Sequence, residues 1–98
     1  MDTYAEIRYR TSPGIYYVEP VDRICGIQIY DCGGIGSDYS FLAAVHFIDP
    51  NMCDRVQHIG CQDTWLKIGE TVYRTEGDFY RLKSELEREK IEKMLGKM

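Results

Sequence analysis

Ninety-eight residues, 44% hydrophobic and 29% charged, suit one soluble domain spanning 1–98, with a single core burying about 60–65% of the unfolded chain's surface. No apolar stretch approaches the ~20 residues needed to cross a bilayer. The opening Met1-Asp2-Thr3-Tyr4 lacks the basic start and apolar run of a secretory signal, so an intracellular, cytoplasmic protein without a membrane partner is expected. The formal net charge of −4 argues against direct nucleic-acid binding, which needs clustered Lys and Arg.

That charge is unevenly spread. Residues 78–98 carry five acids and six bases, leaving eleven acids and six bases in 1–77. An acidic body fits a protein partner with a basic surface, drawn in by electrostatic steering. Solubility alone is the plainer explanation.

Along the chain, residues 3–10 alternate, with Ala5, Ile7 and Tyr9 on one side and Tyr4, Glu6, Arg8 and Arg10 on the other. This predicts a half-buried strand. Thr11-Ser12-Pro13-Gly14 is a turn, and 15–19 returns as the second strand of a hairpin that Pro20 ends. A third strand over 24–31 puts Cys25, Ile27 and Ile29 on one face, and Ile24, Gln28 and Tyr30 on the other. Residues 32–38, with Gly33, Gly34, Gly36 and Asp38, read as an exposed loop.

Aromatic and β-branched residues over 39–48 favour a strand buried on both faces over a helix. Asp49-Pro50 then looks like a helix cap followed by proline at the first helical position. Met52, Val56 and Ile59 recur at helical spacing before Gly60, so a short middle helix is expected. Gly69-Glu70 joins two short strands over 65–68 and 71–73. Residues 76–98 form the C-terminal helix, opened by a capping box of Thr75 and Asp78. Phe79, Leu82 and Leu86 line one face, and Ile91, Met94, Leu95 and Met98 a face rotated by roughly 100°. The expected fold is therefore α+β: a sheet-bearing body over 1–75, mainly antiparallel, with the middle helix and a long C-terminal helix packed on one face.

Four cysteines without a CxxC pair in an intracellular chain point to free thiols. Cys53, His58 and Cys61, with Cys25 or Cys32, could complete a zinc tetrahedron and give a zinc-stabilised interaction domain, but the spacing departs from the usual short knuckles. Buried small hydrophobes are the plainer reading. A Cys–His nucleophile pair from Cys53 or Cys61 with His46 or His58 needs a base in reach and an electropositive setting. The glycine loop, Gly33 to Asp38, faintly echoes a phosphate-cradling turn, which would give a small nucleotide-binding protein or enzyme. Its spacing fits neither GxGxxG nor a P-loop. No metal, cofactor or catalytic residue is assigned.

Tyrosine is enriched, with eight in the chain. If the first three strands form a meander, Tyr4, Arg8, Gln28 and Tyr30 share one side of the sheet and leave the core. Tyr and Arg are favoured at protein interfaces. The competing expectation is that the C-terminal helix or the 39–48 segment covers this face. Ile91, Met94 and Leu95 offer a second patch for a homodimer or a partner helix. The function expected is a non-catalytic protein-binding module that occupies a partner's surface. Small acidic proteins without an enzymatic constellation are often inhibitors carried by phage and other mobile elements, so an anti-CRISPR-like, anti-defence role is the expectation.

Overall fold

Alternation and turn chemistry build the first hairpin as expected. The computed structural model describes residues 4–31, 41–60 and 63–96, the side chains of 91–96 excepted. Strand β1 (Ala5–Ser12) pairs antiparallel with β2 (Ile15–Val21) around a turn in which Gly14 takes a φ of 78°. Only glycine adopts that value at no cost.

The second strand runs through Pro20 rather than stopping at it. The Gly69 N–H donates to the Tyr4 carbonyl at 2.8 Å, so the Tyr4, Glu6 and Arg8 backbone groups face strand β6 (Trp65–Ile68) and those of Ala5, Ile7 and Tyr9 face β2. Pro20 opposes Glu6, and by the same parity its nitrogen points away from β1. A missing N–H costs no ladder bond on the outer side of an edge strand.

Among the described residues the strands form two antiparallel sheets. One has the order β2-β1-β6-β7, where β7 is Thr71–Tyr73. The other is β3-β4-β5, with β3 (Arg23–Asp31), β4 (Phe41–Ile48) and β5 (Asp54–Ile59). The expected meander of the first three strands is therefore not formed. The chain bends at Asp22, whose N–H donates to the Ile48 carbonyl at 2.8 Å, and β3 starts the second sheet. Strand β4 is central there, and six of its eight residues are buried, which explains its nearly continuous apolar sequence.

The expected middle helix is a strand. Asp49 does behave as a cap, its Oδ1 accepting the N–H groups of Asn51 at 3.0 Å and Cys53 at 3.1 Å. Those bonds close a turn instead of opening a helix. Met52 sits in the left-handed region, φ 65°, which breaks any helical run. From Asp54 onward the chain pairs with β4. Met52 and Val56 are exposed while Ile59 is fully buried, so the apparent helical stripe does not share a face. Gly60 is required for another reason than helix termination: a Cβ there would lie 2.3 Å from the Phe41 carbonyl oxygen.

The one helix among the described residues is α1 (Glu76–Gly96). Its capping box is present: Thr75 Oγ1 accepts the Asp78 N–H at 3.1 Å, and Asp78 Oδ2 accepts the N–H of Thr75 at 3.1 Å and of Arg74 at 3.2 Å. These backbone donors, Thr75 first, hold the Asp78 carboxyl below its ordinary range. Phe79 and Leu82 are buried and Leu86 packs beside them, with the Phe79 and Phe41 ring centres 5.9 Å apart.

The core gathers Ile7 and Leu66 from the first sheet, Val45, Phe47 and Ile59 from the second, and Phe79 from α1. Each such burial contributes about 1.5–3 kcal/mol. A register shift between Ile24 and Gly26 inserts Cys25 as an extra residue. It turns Ile24 toward the core against Phe47, the opposite of the face expected from unbroken alternation. At the far side Arg55 of β5 ties the sheets together. It pairs with Glu19 of β2, donates to the Tyr9 hydroxyl at 3.4 Å and stacks over Phe47 at 5.4 Å.

Candidate functional site

With the inner faces of both sheets packed on the core, each sheet keeps one outer face. The outer face of the first sheet is set by the parity of β1: Tyr4, Glu6, Arg8 and Arg10 point outward opposite buried Ala5, Ile7 and Tyr9. Directly opposed residues in an antiparallel ladder share a face. Arg8 is therefore flanked by Val18 of β2 on one side and Trp65 of β6 on the other, and Arg10 by Tyr16.

The result is an apolar and aromatic patch around a guanidinium. Tyr4 is 62% and Val18 48% exposed, while Arg8, Tyr16 and Trp65 are half-buried. The Arg8 guanidinium lies over the Tyr16 ring, 4.8 Å from its centre, within the range of a cation–π contact. Its Nε has no hydrogen-bond partner among the described residues. Lost hydration, then the hydrogen bond and charge of Glu6, keep the Tyr4 phenol protonated to higher pH than a free tyrosine. Lys67 opposes Glu6, so Arg8, Arg10 and Lys67 outnumber Glu6, the one acid among the described residues of these cross-strand rows.

Helix α1 does not cover the patch. Its buried side chains join the inner core, and β4 is central to the other sheet. Both elements that could have hidden Tyr4 and Arg8 are elsewhere.

The four residues expected to cluster are split. Gln28 and Tyr30 lie on β3, on the outer face of the second sheet, where the Tyr30 hydroxyl donates to Gln28 Oε1 at 2.9 Å. Tyr30 is 48% exposed, in keeping with its alternation. That face also carries His46, Val56 and His58, since Gly26, His46 and Val56 form one cross-strand row and Gln28, Ala44 and His58 the next. The side chains of Ile91, Met94 and Leu95 lie outside the described residues, so the second expected patch has no structural description.

Strand parity also supplies what the sequence reading missed. Tyr16, Val18 and Trp65 join the patch only once β1 is known to be flanked by β2 and β6. The available signal was local: Trp65 and Lys67 alternate against the apolar Leu66 and Ile68.

For the zinc reading, Cys32 and Cys61 lie outside the described residues. Cys25 sits on one edge strand of the second sheet and His58 on the other, with β4 between them. Cys53 lies in the exposed turn, its thiol 3.8 Å from the Asn51 carbonyl. Among the described residues no group of three or more His, Cys, Asp or Glu side chains could hold a metal ion. The glycine loop over 33–38 likewise lies outside the described residues. No helix among them is long and apolar enough to cross a membrane. No family model, curated protein or solved structure matches the chain.

Proposed function

We propose that this protein is a non-catalytic binding module that docks a protein partner on the outer face of the β2-β1-β6-β7 sheet and works by occupying the partner's surface. The observation that carries the reading is the row Val18–Arg8–Trp65, which no other described element covers, with Tyr16 stacked on the guanidinium and Tyr4 at its margin. Interface hot spots draw on Trp, Tyr and Arg because these combine apolar area with hydrogen bonding at low entropic cost. Arg8 is already oriented by its ring contact, so little freedom is lost when a partner's acceptor meets it. Standing where another molecule must bind is how an inhibitor or adaptor of this size acts, and an anti-defence inhibitor of mobile-element origin is the role we favour.

The test is quantitative binding of the partner captured from the native host. Arg8→Ala and Tyr4→Ala are expected to weaken it by about 30-fold or more each, the worth of a ~2 kcal/mol hot spot. Tyr4→Ala should melt within about 2–4 °C of the parent, since exposed substitutions move stability by about 0.5 kcal/mol. Arg8→Ala, which removes a half-buried side chain from the Tyr16 ring, should lose about 0.5–1 kcal/mol, or about 2–8 °C. Tyr30→Ala, on the other sheet, should bind normally. Undiminished binding by both first-sheet variants overturns the proposal.

A further inference from the structure

A groove of about 450 Å³ opens between α1, the lower edge of the first sheet and the bend joining β2 to β3. It is separate from the outer face just described, and its chemistry differs. The floor is apolar: Val21 and Leu82 are buried, and Ile24, Ile68 and Leu86 are half-buried. Three carboxylates stand at the rim, Glu85 and Glu89 one helical turn apart on α1 and Asp22 at the bend, against one lining cation among the described residues, Arg23. Lys90, next along the helix from Glu89, donates to the Cys25 carbonyl at 3.1 Å. The three carboxylates and Arg23 are exposed, and no ion pair engages them among the described residues. Tyr73 lines the same groove, and its phenol titrates above the ordinary range, through burial first and then the negative charge of Glu85. The groove interior therefore feels the acidic rim.

An apolar floor under an acidic rim selects among side chains. A neutral aliphatic group satisfies the floor alone, and an anion is repelled by the rim. Lysine and arginine carry an aliphatic stem ending in a cation, and characteristically lay the stem on apolar surface with the charge held in water. The volume lies within the range of small-ligand sites and admits such a side chain with part of its own backbone. We propose that this groove is a docking site for a lysine or arginine side chain presented by a protein partner, its stem on Val21, Leu82 and Leu86 and its cation between Glu85, Glu89 and Asp22. The site stands independently of the first-sheet face, and either can fail without the other.

The test is amide-resolved NMR titration of the full chain with two capped pentapeptides, alanines flanking a central lysine or a central norleucine. The norleucine peptide keeps the stem and lacks the charge. Expected are saturable shifts at the Ala5, Ile68, Leu82 and Glu85 amides with the lysine peptide. Binding should be about fivefold weaker for norleucine, the worth of one solvent-screened ion pair at about 4 Å. The double variant Glu85→Gln/Glu89→Gln should lower lysine affinity by a similar factor. Both glutamates are exposed, so the fold is not at stake. Equal binding of the two peptides, equal binding by the double variant, or shifts absent from the groove overturns the proposal.

Discussion

Removing the Asp78 carboxylate is expected to destabilise the protein by an amount that depends on pH in a defined direction. Asp78 Oδ2 accepts two backbone N–H groups ahead of α1, and the Asp78 N–H is in turn held by Thr75 Oγ1. A lost cap costs about 0.5–2 kcal/mol, and a negative charge in the first turn of a helix adds about 0.3–1 kcal/mol. Asp78→Ala, which removes both the acceptor and the charge, should therefore cost about 1–2 kcal/mol at pH 7. At 4–8 °C per kcal/mol for a chain of this size, the melting temperature falls by about 4–16 °C. The folded protein holds this carboxyl below its ordinary range. Its charged form thus contributes stability above the unfolded value of about 3.9, and that contribution is lost as the pH falls through the lower folded value. The gap between parent and variant should be full at pH 7, begin to close below about pH 4, and shrink further with acid. Arg81→Ala serves as the control, because its ion pair with Asp78 is largely solvent-exposed on the arginine side and is worth at most about 1 kcal/mol. Thermal unfolding followed by circular dichroism at pH 7 and pH 3 gives all the values. A gap at pH 3 as wide as at pH 7 refutes the assigned role of the carboxylate.

Two further substitutions examine the segments where sequence and structure diverge. Met52→Gly relieves a left-handed residue at an exposed turn position. The strain relieved is about 1 kcal/mol or more, offset by about 0.4–1 kcal/mol of unfolded-state freedom, so urea denaturation should show unchanged or slightly raised stability. A loss of about 1 kcal/mol, the cost of glycine inside a helix, would favour the helical alternative. Gly60→Ala should destabilise by about 1–3 kcal/mol, because the new methyl meets the Phe41 backbone rather than a side chain able to swing aside. A neutral result in the same assay contradicts the close approach of β5 to the start of β4.

Features that depend on near neighbours were legible in the sequence. The alternation of β1, the turn at Gly14, the hairpin at Gly69 and the reciprocal cap of Thr75 and Asp78 all rest on residues within a few positions of one another. The exposure of Tyr4 and Tyr30 follows from period two alone. The strand at β5 was misread because an aspartate cap looks the same before a helix and inside an Asx turn, and three apolar residues fell by chance at helical spacing. The partition into two sheets was illegible for a different reason. It depends on β6 docking beside β1 across more than half the chain, a non-local pairing that no local pattern encodes. That docking also decides which residues form the candidate site, separating Gln28 and Tyr30 from Arg8 and bringing Trp65 to it. One extra residue at Cys25 reverses the orientation of Ile24, which strict alternation cannot anticipate.

The docking face is tested most directly by NMR cross-saturation from the captured partner into the isotope-labelled protein. Saturation is expected at Tyr4, Arg8, Val18 and Trp65, with Tyr30, Val56 and His58 silent. Saturation confined to the second sheet, with the first-sheet row untouched, would contradict it.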